Sequence, residues 1–504
     1  MYLIFCYVCY CFTAITVVLI TLFLIVCKVI NGYWERKGAF TLKPKIFFGN
    51  AQSVIFQKRS LGEEIKEFYD KLNSNGVQYG GYYFLMRPIL VISDLELIKR
   101  MLVTDCDHFT DHSMYVNEAN DPLTGNLFAL KGEKWKKLRV HLSSAYNTKT
   151  SKVMFDTLLS CCKEMEMAID NKVKSGEVVD IVPLLCDVNM AILLACTCQM
   201  EFNNLKHLTS TLHHYCSSIL HSRTTWDSIV NLMSFIFPQF FTILKVKAYS
   251  EELTNFFVSL VNDIVHHRQA NNIIRKDLIG LLIQLKSDKE LTLNHKEIAA
   301  QLFLFLAAGH ETTSLTPAFC IYELCINQCL QDKIRDEISL TLLGTNGVIS
   351  FDDLSKMKYV DQCIYETFRK YPTMVVHSRV CTKTYVIPNT HVTVTKGTPV
   401  LIPTYGIHMD PRYFPNPEIY DPERFSEHTI SDRPSCSFLP FGVGPRTCIA
   451  YKFGLVQVKL VLITLLRRYK FSLHASTNVP LEHDPKHFMI YPSTPILLYV
   501  ERIV

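Results

Sequence analysis

The sequence predicts a mainly α-helical protein with a minor β-sheet region, built as one large domain preceded by an N-terminal transmembrane helix. Most of the 504-residue chain carries apolar residues at spacings of three and four, which is the helical period. Few segments alternate apolar and polar residues or are interrupted by glycine and proline, which are the patterns typical of β-strands. Residues 2–27 contain no charged side chain, and roughly 20 apolar residues suffice to cross a bilayer core.

The N-terminal segment predicts an uncleaved signal anchor over residues 1–30. Basic residues follow it, beginning with Lys28, Arg36 and Lys37, and none precedes it. By the positive-inside rule the bulk of the chain is then cytosolic. A cleaved signal peptide is the alternative, but the apolar stretch is too long and no small-x-small cleavage site follows it. We expect residues 31–50 to form a linker and residues 51–504 a single catalytic domain.

The main domain is predicted element by element from periodicity. Residues 79–93 combine aromatic and β-branched residues with a break at Arg87-Pro88, which predicts a β-hairpin. Residues 235–241 are aromatic and contain Pro238, which predicts a loop able to dip into a membrane. Residues 386–403 and the C-terminal stretch predict strands. Helices are predicted over residues 95–103, 133–146, 150–174, 182–200, 208–220, 249–270, 293–328, 330–343, 359–371 and 453–469.

Charge and cysteine content narrow the class of function. The net charge of +5 is too small to indicate nucleic-acid binding. Eighteen cysteines would suggest disulfides in a secreted protein, but most of these lie in apolar runs. A cytosolic domain keeps them reduced. A mildly basic balance suits a protein near anionic lipid or an acidic partner.

Cys448 lies between a Gly/Pro-rich turn and the apolar run of the last predicted helix, in the segment 441–450. Amide groups at a helix N-terminus stabilise a thiolate, as does a metal that the sulfur binds. We expect Arg446 to add positive charge beside the sulfur. A buried structural cysteine is the alternative. The flanking phenylalanine, paired glycines and arginine favour a thiolate ligand of haem iron.

This segment resembles the haem-binding loop of the cytochromes P450, whose pattern is Phe-x-x-Gly-x-Arg-x-Cys-x-Gly. Phe441, Gly444, Arg446 and Cys448 match the pattern, whereas Ala450 stands where the family usually has glycine. One added methyl group predicts a tighter fit without loss of the cofactor. The resemblance covers nearly the whole chain. It implies haem b (heme, iron protoporphyrin IX) with an axial thiolate.

Residues 308–313 read Ala-Gly-His-Glu-Thr-Thr in the middle of a predicted helix. Gly309 weakens a helix and the Thr312 hydroxyl can bond to a backbone carbonyl, so we expect the helix to be disrupted there. The motif is similar to the family's Ala/Gly-Gly-x-Glu/Asp-Thr-Thr. The resemblance implies that Ala308 borders the haem and that Glu311 and Thr312 relay protons while dioxygen is activated. A Ser/Thr-rich kink without chemistry is the alternative.

His310 is an alternative candidate for an iron ligand. It precedes Glu311 by one position and therefore points to another face of the helix. We expect it to be a partly exposed structural histidine.

Glu366-x-x-Arg369 places opposite charges on one helical face, and Arg424 follows in a Pro-Glu-Arg-Phe segment. An isolated pair of this kind is common and worth little. The family uses these three side chains as a buried network. The resemblance therefore assigns Glu366, Arg369 and Arg424 to folding around the haem.

Trp135 and Arg139 stand one helical turn apart. A solvated arginine on an amphipathic helix is the alternative to a functional pair. The resemblance implies that both side chains hydrogen-bond a haem propionate, with Arg379 at a second such position and Arg446 as a third. Two propionates carry two negative charges, so several arginines are chemically reasonable.

The whole chain is similar to microsomal cytochromes P450 and most similar to their insect detoxification branch. The resemblance implies a monooxygenase of lipophilic substrates, either xenobiotics such as plant toxins and insecticides or endogenous lipids and hormones. It implies the endoplasmic reticulum membrane, a cytosolic catalytic domain, NADPH-cytochrome reductase as electron donor and cytochrome b5 as a second one. Lys136, Lys137 and Lys452 are candidates for a basic face that receives the reductase.

Two other classes compete with the monooxygenase. One is a haem-thiolate isomerase or dehydratase without a reductase, and the other is a non-catalytic haem-binding membrane protein. Isomerase relatives often alter the Glu-Thr relay, which this chain keeps. Residues 114–128, 303–307 and 373–377 are the candidate pocket segments by motif position.

Overall fold

The computed structural model describes residues 1–503 except 147, 199–205, 221–229, 231–232, 235, 276, 286–290 and 346. Within that part, the helices of seven or more residues are numbered in chain order. They are α1 (Tyr2–Asn31), α2 (Leu61–Ser74), α3 (Gly132–Ser143), α4 (Thr148–Lys174), α5 (Ile181–Cys198), α6 (Lys206–Leu220), α7 (Pro238–Leu244), α8 (Glu251–Ala270), α9 (Leu278–Gln284), α10 (His295–Ile326), α11 (Gln328–Thr341), α12 (Lys358–Lys370) and α13 (Tyr451–Leu466). Shorter α-helices span Tyr33–Arg36, Gln52–Ile55, Leu95–Lys99, Thr404–His408 and Glu427–Ile430.

In the described part of the chain the strands form three small sheets. The strands are β1 (Tyr79–Phe84), β2 (Arg87–Ile92), β3 (Val179–Asp180), β4 (His377–Val380), β5 (Tyr385–Val386), β6 (Thr393–Val394), β7 (Pro399–Ile402), β8 (Tyr469–Leu473) and β9 (Leu497–Arg502). The first sheet has the order β1-β2-β7-β4, the second β3-β9-β8 and the third β5-β6. Only β2 and β7 pair in parallel among these strands. The predicted mainly α fold with a minor β region is therefore confirmed.

Helix α10 is the central element of the domain, and most of its length is buried. It is uninterrupted through Gly309 and Pro317, so the disruption expected at the glycine is wrong. Gly309 serves close packing instead: a Cβ added there would lie 2.9 Å from Cδ2 of Leu193 on α5. The Thr313 hydroxyl donates to the Gly309 carbonyl at 2.6 Å.

The predicted loop at 235–241 is also corrected by the structure. Position 235 lies outside the described residues, and Pro238 begins the short helix α7. Proline favours the first turn of a helix because its missing N–H would have no partner there. Phe240 and Ile243 of α7 are exposed, at 58% and 75%. The expected apolar surface is therefore present, but on a helix.

Glu366, Arg369 and Arg424 form the expected buried network, which joins α12 to the segment ahead of the Cys448 loop. Arg369 donates to both carboxylate oxygens of Glu366, each at 2.7 Å, and both side chains are fully buried. The Nε of Arg424 lies 3.5 Å from the same carboxylate. Removing one partner of such a pair leaves a buried charge uncompensated, at about 3–5 kcal/mol.

Within the part of the chain that the structure describes, two helices are long and apolar enough to cross a membrane. One is α5, which is buried in the domain, and the other is the N-terminal helix over Ile4–Asn31, which is almost wholly exposed. Because α1 has no protein around most of its apolar surface, it fits a single membrane anchor. Its last turns touch the domain, where the Cys27 sulfur lies 3.6 Å from the Met86 sulfur.

The segment predicted as a linker packs against the first sheet. Trp34 is fully buried, and a Cβ added at Gly81 would lie 2.1 Å from its indole ring. The backbone N–H of Trp34 donates to the Tyr83 hydroxyl at 2.9 Å. A bare Cα at Gly81 is therefore what admits this tryptophan between the anchor and the sheet.

Candidate functional site

The loop that carries Cys448 closes on itself through backbone hydrogen bonds. The Cys448 N–H donates to the Phe441 carbonyl at 2.9 Å, and the Thr447 N–H donates to the Gly444 carbonyl at 3.0 Å. Gly444 has a φ of +79° and lies so close to the Leu102 carbonyl that a Cβ would be 1.9 Å from its oxygen. Only glycine can adopt this positive φ and also leave room for the Leu102 carbonyl, so the backbone geometry of the loop requires glycine at position 444.

The Cys448 sulfur faces the N-terminus of α13. Burial raises the pKa of the Cys448 thiol, while the backbone N–H of Ala450 and the positive charge of Arg139 act in the opposite direction. Ala450 is the N-cap residue of α13, so its amide is one of the donors that a helix leaves without an internal partner. Burial outweighs these two contributions, so the site alone favours the neutral thiol, and a bound metal ion would be needed to deprotonate it.

Arg446 does not supply charge to the sulfur as expected, because its guanidinium is engaged elsewhere. It lies 3.8 Å above the ring of Trp135 and 3.5 Å from a carboxylate oxygen of Asp111. The remaining donors reach the backbone carbonyls of Thr110, Leu127, Phe128 and Leu130 at 2.7 to 3.3 Å. Arg446 therefore ties the Cys448 loop to residues 110–130, and Arg139 is the cation that acts on the sulfur.

A cavity of about 280 Å³ separates the Cys448 loop from α10. Cys448 and Phe441 line one side, and Ala308 and Thr312 line the α10 side. All three candidate pocket segments contribute to the walls. The contributing side chains are Leu127, Phe128, Leu304, Phe305, Thr373, Met374 and His377.

Trp135, Arg139 and Arg379 all reach the same cavity. Arg379 is 3% exposed, and burial lowers its pKa to about 10. Its guanidinium donates to the neighbouring Ser378 carbonyl at 2.8 Å. Across the described residues, neither Arg139 nor Arg379 forms an ion pair with a carboxylate. A buried guanidinium on Arg379 and a half-buried one on Arg139, neither paired with a carboxylate, indicate a site for an anionic ligand.

The structure separates Glu311 from Thr312. The Thr312 side chain lines the cavity and its hydroxyl donates to the Ala308 carbonyl at 2.8 Å. Glu311 is 3% exposed and does not line the cavity. Its carboxylate lies 3.1 Å from Nε2 of His487, a buried histidine whose ring stacks on Tyr491. The two residues predicted to act together thus face different surroundings.

His310 is fully buried, so the expected partial exposure is wrong. Helix α6 lies over this part of α10, and His213 of α6 meets the His310 ring at 3.1 Å between nitrogens. Burial lowers the pKa of His310 to about 3. It does not line the cavity and is therefore not placed to bind a metal there.

His112 lines the cavity but was not predicted from the sequence. It is buried, its ring stacks on Phe128 with 4.4 Å between centroids, and its Nδ1 lies 3.0 Å from the Ser378 carbonyl. Burial lowers its pKa well below the usual value, and the nearby Arg379 and Arg446 act in the same direction. Nothing in the local sequence marks this histidine, because its neighbours come from distant segments.

Comparison with known proteins decides the family. The cytochrome P450 family model matches residues 41–499. This chain belongs to the cytochrome P450 family. It is 33% identical over 492 residues to "Probable cytochrome P450 6a23" of Drosophila melanogaster, covering 96% of this chain and 98% of the relative. It is 34% identical over 485 residues to "Cytochrome P450 6A1" of Musca domestica, covering 94% of each chain. The predicted family is therefore confirmed, and the cytochrome P450 relatives are monooxygenases.

Cytochromes P450 bind haem through a cysteine thiolate, and the cavity of this cytochrome P450 fits that group. It offers one cysteine sulfur at a helix N-terminus on one wall and cationic side chains at its edge. Arg379 and Arg139 lack carboxylate partners within the described chain, which suits a ligand with two carboxylates. The rest of the lining is mostly apolar, as a porphyrin face requires.

Proposed function

We propose that this cytochrome P450 inserts one oxygen atom from dioxygen into lipophilic xenobiotics, the class that includes plant toxins and insecticides. The observation that carries the proposal is the mostly apolar cavity between Cys448 and Thr312. Such a cavity retains compounds by burying their apolar surface, at about 25 cal/mol per Å², and sets few polar requirements on their structure. Similarity to insect cytochromes P450 also supports this proposal.

The residues that we propose to hold the haem are those that converge on the cavity. Cys448 would bind the iron, and Phe441 and Ala308 would cover parts of the two porphyrin faces. Arg379 and Arg139, with Trp135, would bind the propionate groups. We propose that Arg446 contributes to the cofactor site mainly by holding the Cys448 loop against residues 110–130, because its donors already have acceptors.

When bound, haem supplies the redox chemistry that activates dioxygen. The protein contributes the handling of protons and the exclusion of water. The Thr312 hydroxyl is the polar group of α10 nearest in sequence to Glu311 that reaches the cavity, and it can release its bond to the Ala308 carbonyl to hold a water molecule. We assign the storage of a proton to the buried pair of Glu311 Oε2 and His487 Nε2. A swing of the Glu311 side chain or an ordered water would carry that proton to Thr312.

The electron donor that we propose is NADPH-cytochrome reductase, with cytochrome b5 as a second donor. Exposed lysines support this: Lys137 lies on α3, the helix that carries Arg139, and Lys452 lies at the start of α13, which follows Cys448. Lys136 is also exposed but pairs with Glu133 at 2.8 Å, which leaves less of its charge for a partner. An anchor in the endoplasmic reticulum membrane would hold this face on the cytosolic side with the reductase.

A reductase-coupled turnover screen tests the function. The full-length protein in lipid vesicles with reductase and NADPH is given plant toxins, insecticides and fatty acids, and products are identified by mass spectrometry. We expect NADPH-dependent products that gain one oxygen atom from labelled dioxygen. Products that carry no oxygen from dioxygen and form without reductase would contradict the proposal and support the isomerase or dehydratase class.

A further inference from the structure

Three metal-binding side chains from three helices meet outside the haem cavity. They are Cys186 of α5, His213 of α6 and His310 of α10, and one potential ligand atom of each lies within 4.8 Å of the others. None of the three lines the cavity. Cys186 and His310 are buried, and His213 is partly exposed, which gives an ion a path from solvent.

The spacing of the two imidazoles suits one shared metal ion. Nδ1 of His213 and Nε2 of His310 are 3.1 Å apart, and the rings stand at 85° to each other. In a tetrahedral zinc site with Zn–N bonds of about 2.0–2.1 Å, two nitrogens are separated by roughly 3.3 Å. The pair therefore needs to open by only a few tenths of an ångström to admit the ion.

The ligand chemistry also favours zinc. Two neutral imidazoles and a thiolate form a nitrogen and sulfur set that prefers Zn²⁺ over hard cations such as Mg²⁺ or Ca²⁺. The charge around the cluster is negative, because the carboxylates of Glu311 and Asp187 both act on Cys186. A dication with one thiolate ligand has a net charge of +1, which these carboxylates would offset.

We propose that Cys186, His213 and His310 bind one Zn²⁺ ion, with water in the fourth position. The ion would fasten α6 to α5 and α10. Without metal, His213 and His310 share a hydrogen bond and Cys186 is a buried thiol. The experiment must distinguish this ordinary packing from a zinc site.

Zinc binding by the haem-loaded, full-length protein tests the proposal. After chelator treatment, the protein is titrated with Zn²⁺ alone, and zinc and iron per chain are measured together. His213→Ala and Cys186→Ser remove ligands, and His214→Ala, on the neighbouring exposed residue, is the matched control. We expect one zinc per haem iron in the wild type and in His214→Ala, and at least tenfold weaker binding in the other two variants at unchanged iron content.

Equal zinc affinity in His213→Ala and the wild type would overturn the proposal, as would a wild type that takes up no zinc. If the ligand variants lose haem through misfolding, X-ray absorption at the zinc edge of the wild type decides. One sulfur at about 2.3 Å with nitrogens at about 2.0 Å supports the site. A coordination shell without sulfur overturns it.

Discussion

The carboxylate of Glu311 lies 3.1 Å from Nε2 of His487, on a side of α10 that does not line the haem cavity, while the adjacent Thr312 does line it. Consecutive helical residues point about 100° apart, so both orientations follow from one regular helix. The Glu311 carboxylate is therefore buried beside His487 from the C-terminal segment, and the Thr312 hydroxyl lies at the cavity.

Removing His487 should slow product formation. In His487→Gln the buried Glu311 side chain loses the imidazole that lies 3.1 Å from it, so it can no longer exchange a proton with that ring. We expect kcat to fall roughly tenfold with little change in substrate affinity, which corresponds to about 1.4 kcal/mol. The measurement is kcat and its solvent deuterium isotope effect. His483→Gln, in the same segment but paired with Glu63, is the control. Identical kinetics in His487→Gln and the control would exclude this histidine from proton supply.

Losing the Thr312 hydroxyl should redirect the reaction rather than stop it. Thr312→Ala keeps the helix and the cavity wall but removes the group that can hold water there. We expect NADPH consumption to continue, with more hydrogen peroxide and less product. A change of about 1.4 kcal/mol in the partition shifts their ratio roughly tenfold. Product and peroxide per NADPH oxidised are measured together, and Thr312→Ser should retain the wild-type ratio. Unchanged coupling in Thr312→Ala would show that protons arrive by another route.

Replacing Cys448 should remove the thiolate signature of the haem. Cys448→Ser eliminates the sulfur that the Ala450 amide and Arg139 favour as an anion. We expect the reduced carbon monoxide complex to lose the red-shifted band that thiolate ligation gives. Cys436→Ser is the matched control, since Cys436 lies in the preceding loop and does not line the cavity. Persistence of the band in Cys448→Ser would remove the central assignment.

The anchor should be dispensable for haem binding, but Trp34 should not be dispensable for stability. A chain that begins at Asn31 keeps the buried indole against Gly81 and should still incorporate haem. In that shortened chain, Trp34→Ala should lower the free energy of unfolding by about 3–5 kcal/mol. Urea unfolding followed by haem absorbance measures this, with the exposed Glu35→Ala as control. A shortened chain without haem, or equal stability of both variants, would contradict the prediction.

Acid should weaken the fold through His408. The ring is fully buried, and its Nε2 accepts a hydrogen bond from the Leu439 N–H at 2.8 Å. Burial lowers its pKa to about 3, against about 6.5 in an unfolded chain. The folded state therefore binds the proton less well. The stability from this histidine is complete above pH 6.5 and is lost as the pH falls from 6.5 toward 3.

At pH 5.5 the loss due to His408 should be about 1.4 kcal/mol relative to pH 7.5. His408→Gln keeps an acceptor for the Leu439 N–H but does not titrate, so its stability should fall by that much less over the same interval. The exposed His428→Gln serves as control and should follow the wild type. Urea unfolding at both pH values measures the difference, and parallel losses in all three proteins would exclude His408 as the source.

The sequence was sufficient for features whose signals are local. Helical periodicity predicted the α-rich domain, and the pattern around Cys448 identified the family because its glycines are required by the backbone itself. Gly444 shows this directly through its positive φ and its closeness to Leu102. Opposite charges at Glu366 and Arg369 were also predictable, since a one-turn spacing brings them together on a single helix.

Features that depend on distant partners were not predictable in this way. The neighbour of the Glu311 carboxylate, His487, comes from near the C-terminus, and the burial of His310 follows from α6 packing over it. His112 has no local mark because its stacking on Phe128 and its contact with Ser378 arise only in the folded chain. Arg446 was expected beside the sulfur, but carbonyls from residues 110–130 compete for its guanidinium.

The clamp made by Arg446 also sets an order on biosynthesis. Its acceptor Leu130 precedes it by 316 positions, so that carbonyl leaves the ribosome long before the guanidinium exists. At roughly 5–20 residues per second, the interval is on the order of 15 to 60 seconds. During that time the segment around Leu130 has no arginine to hold it, and Cys448 has not been made. The closed arrangement of the Cys448 loop against residues 110–130 can therefore form only after Arg446 has been made.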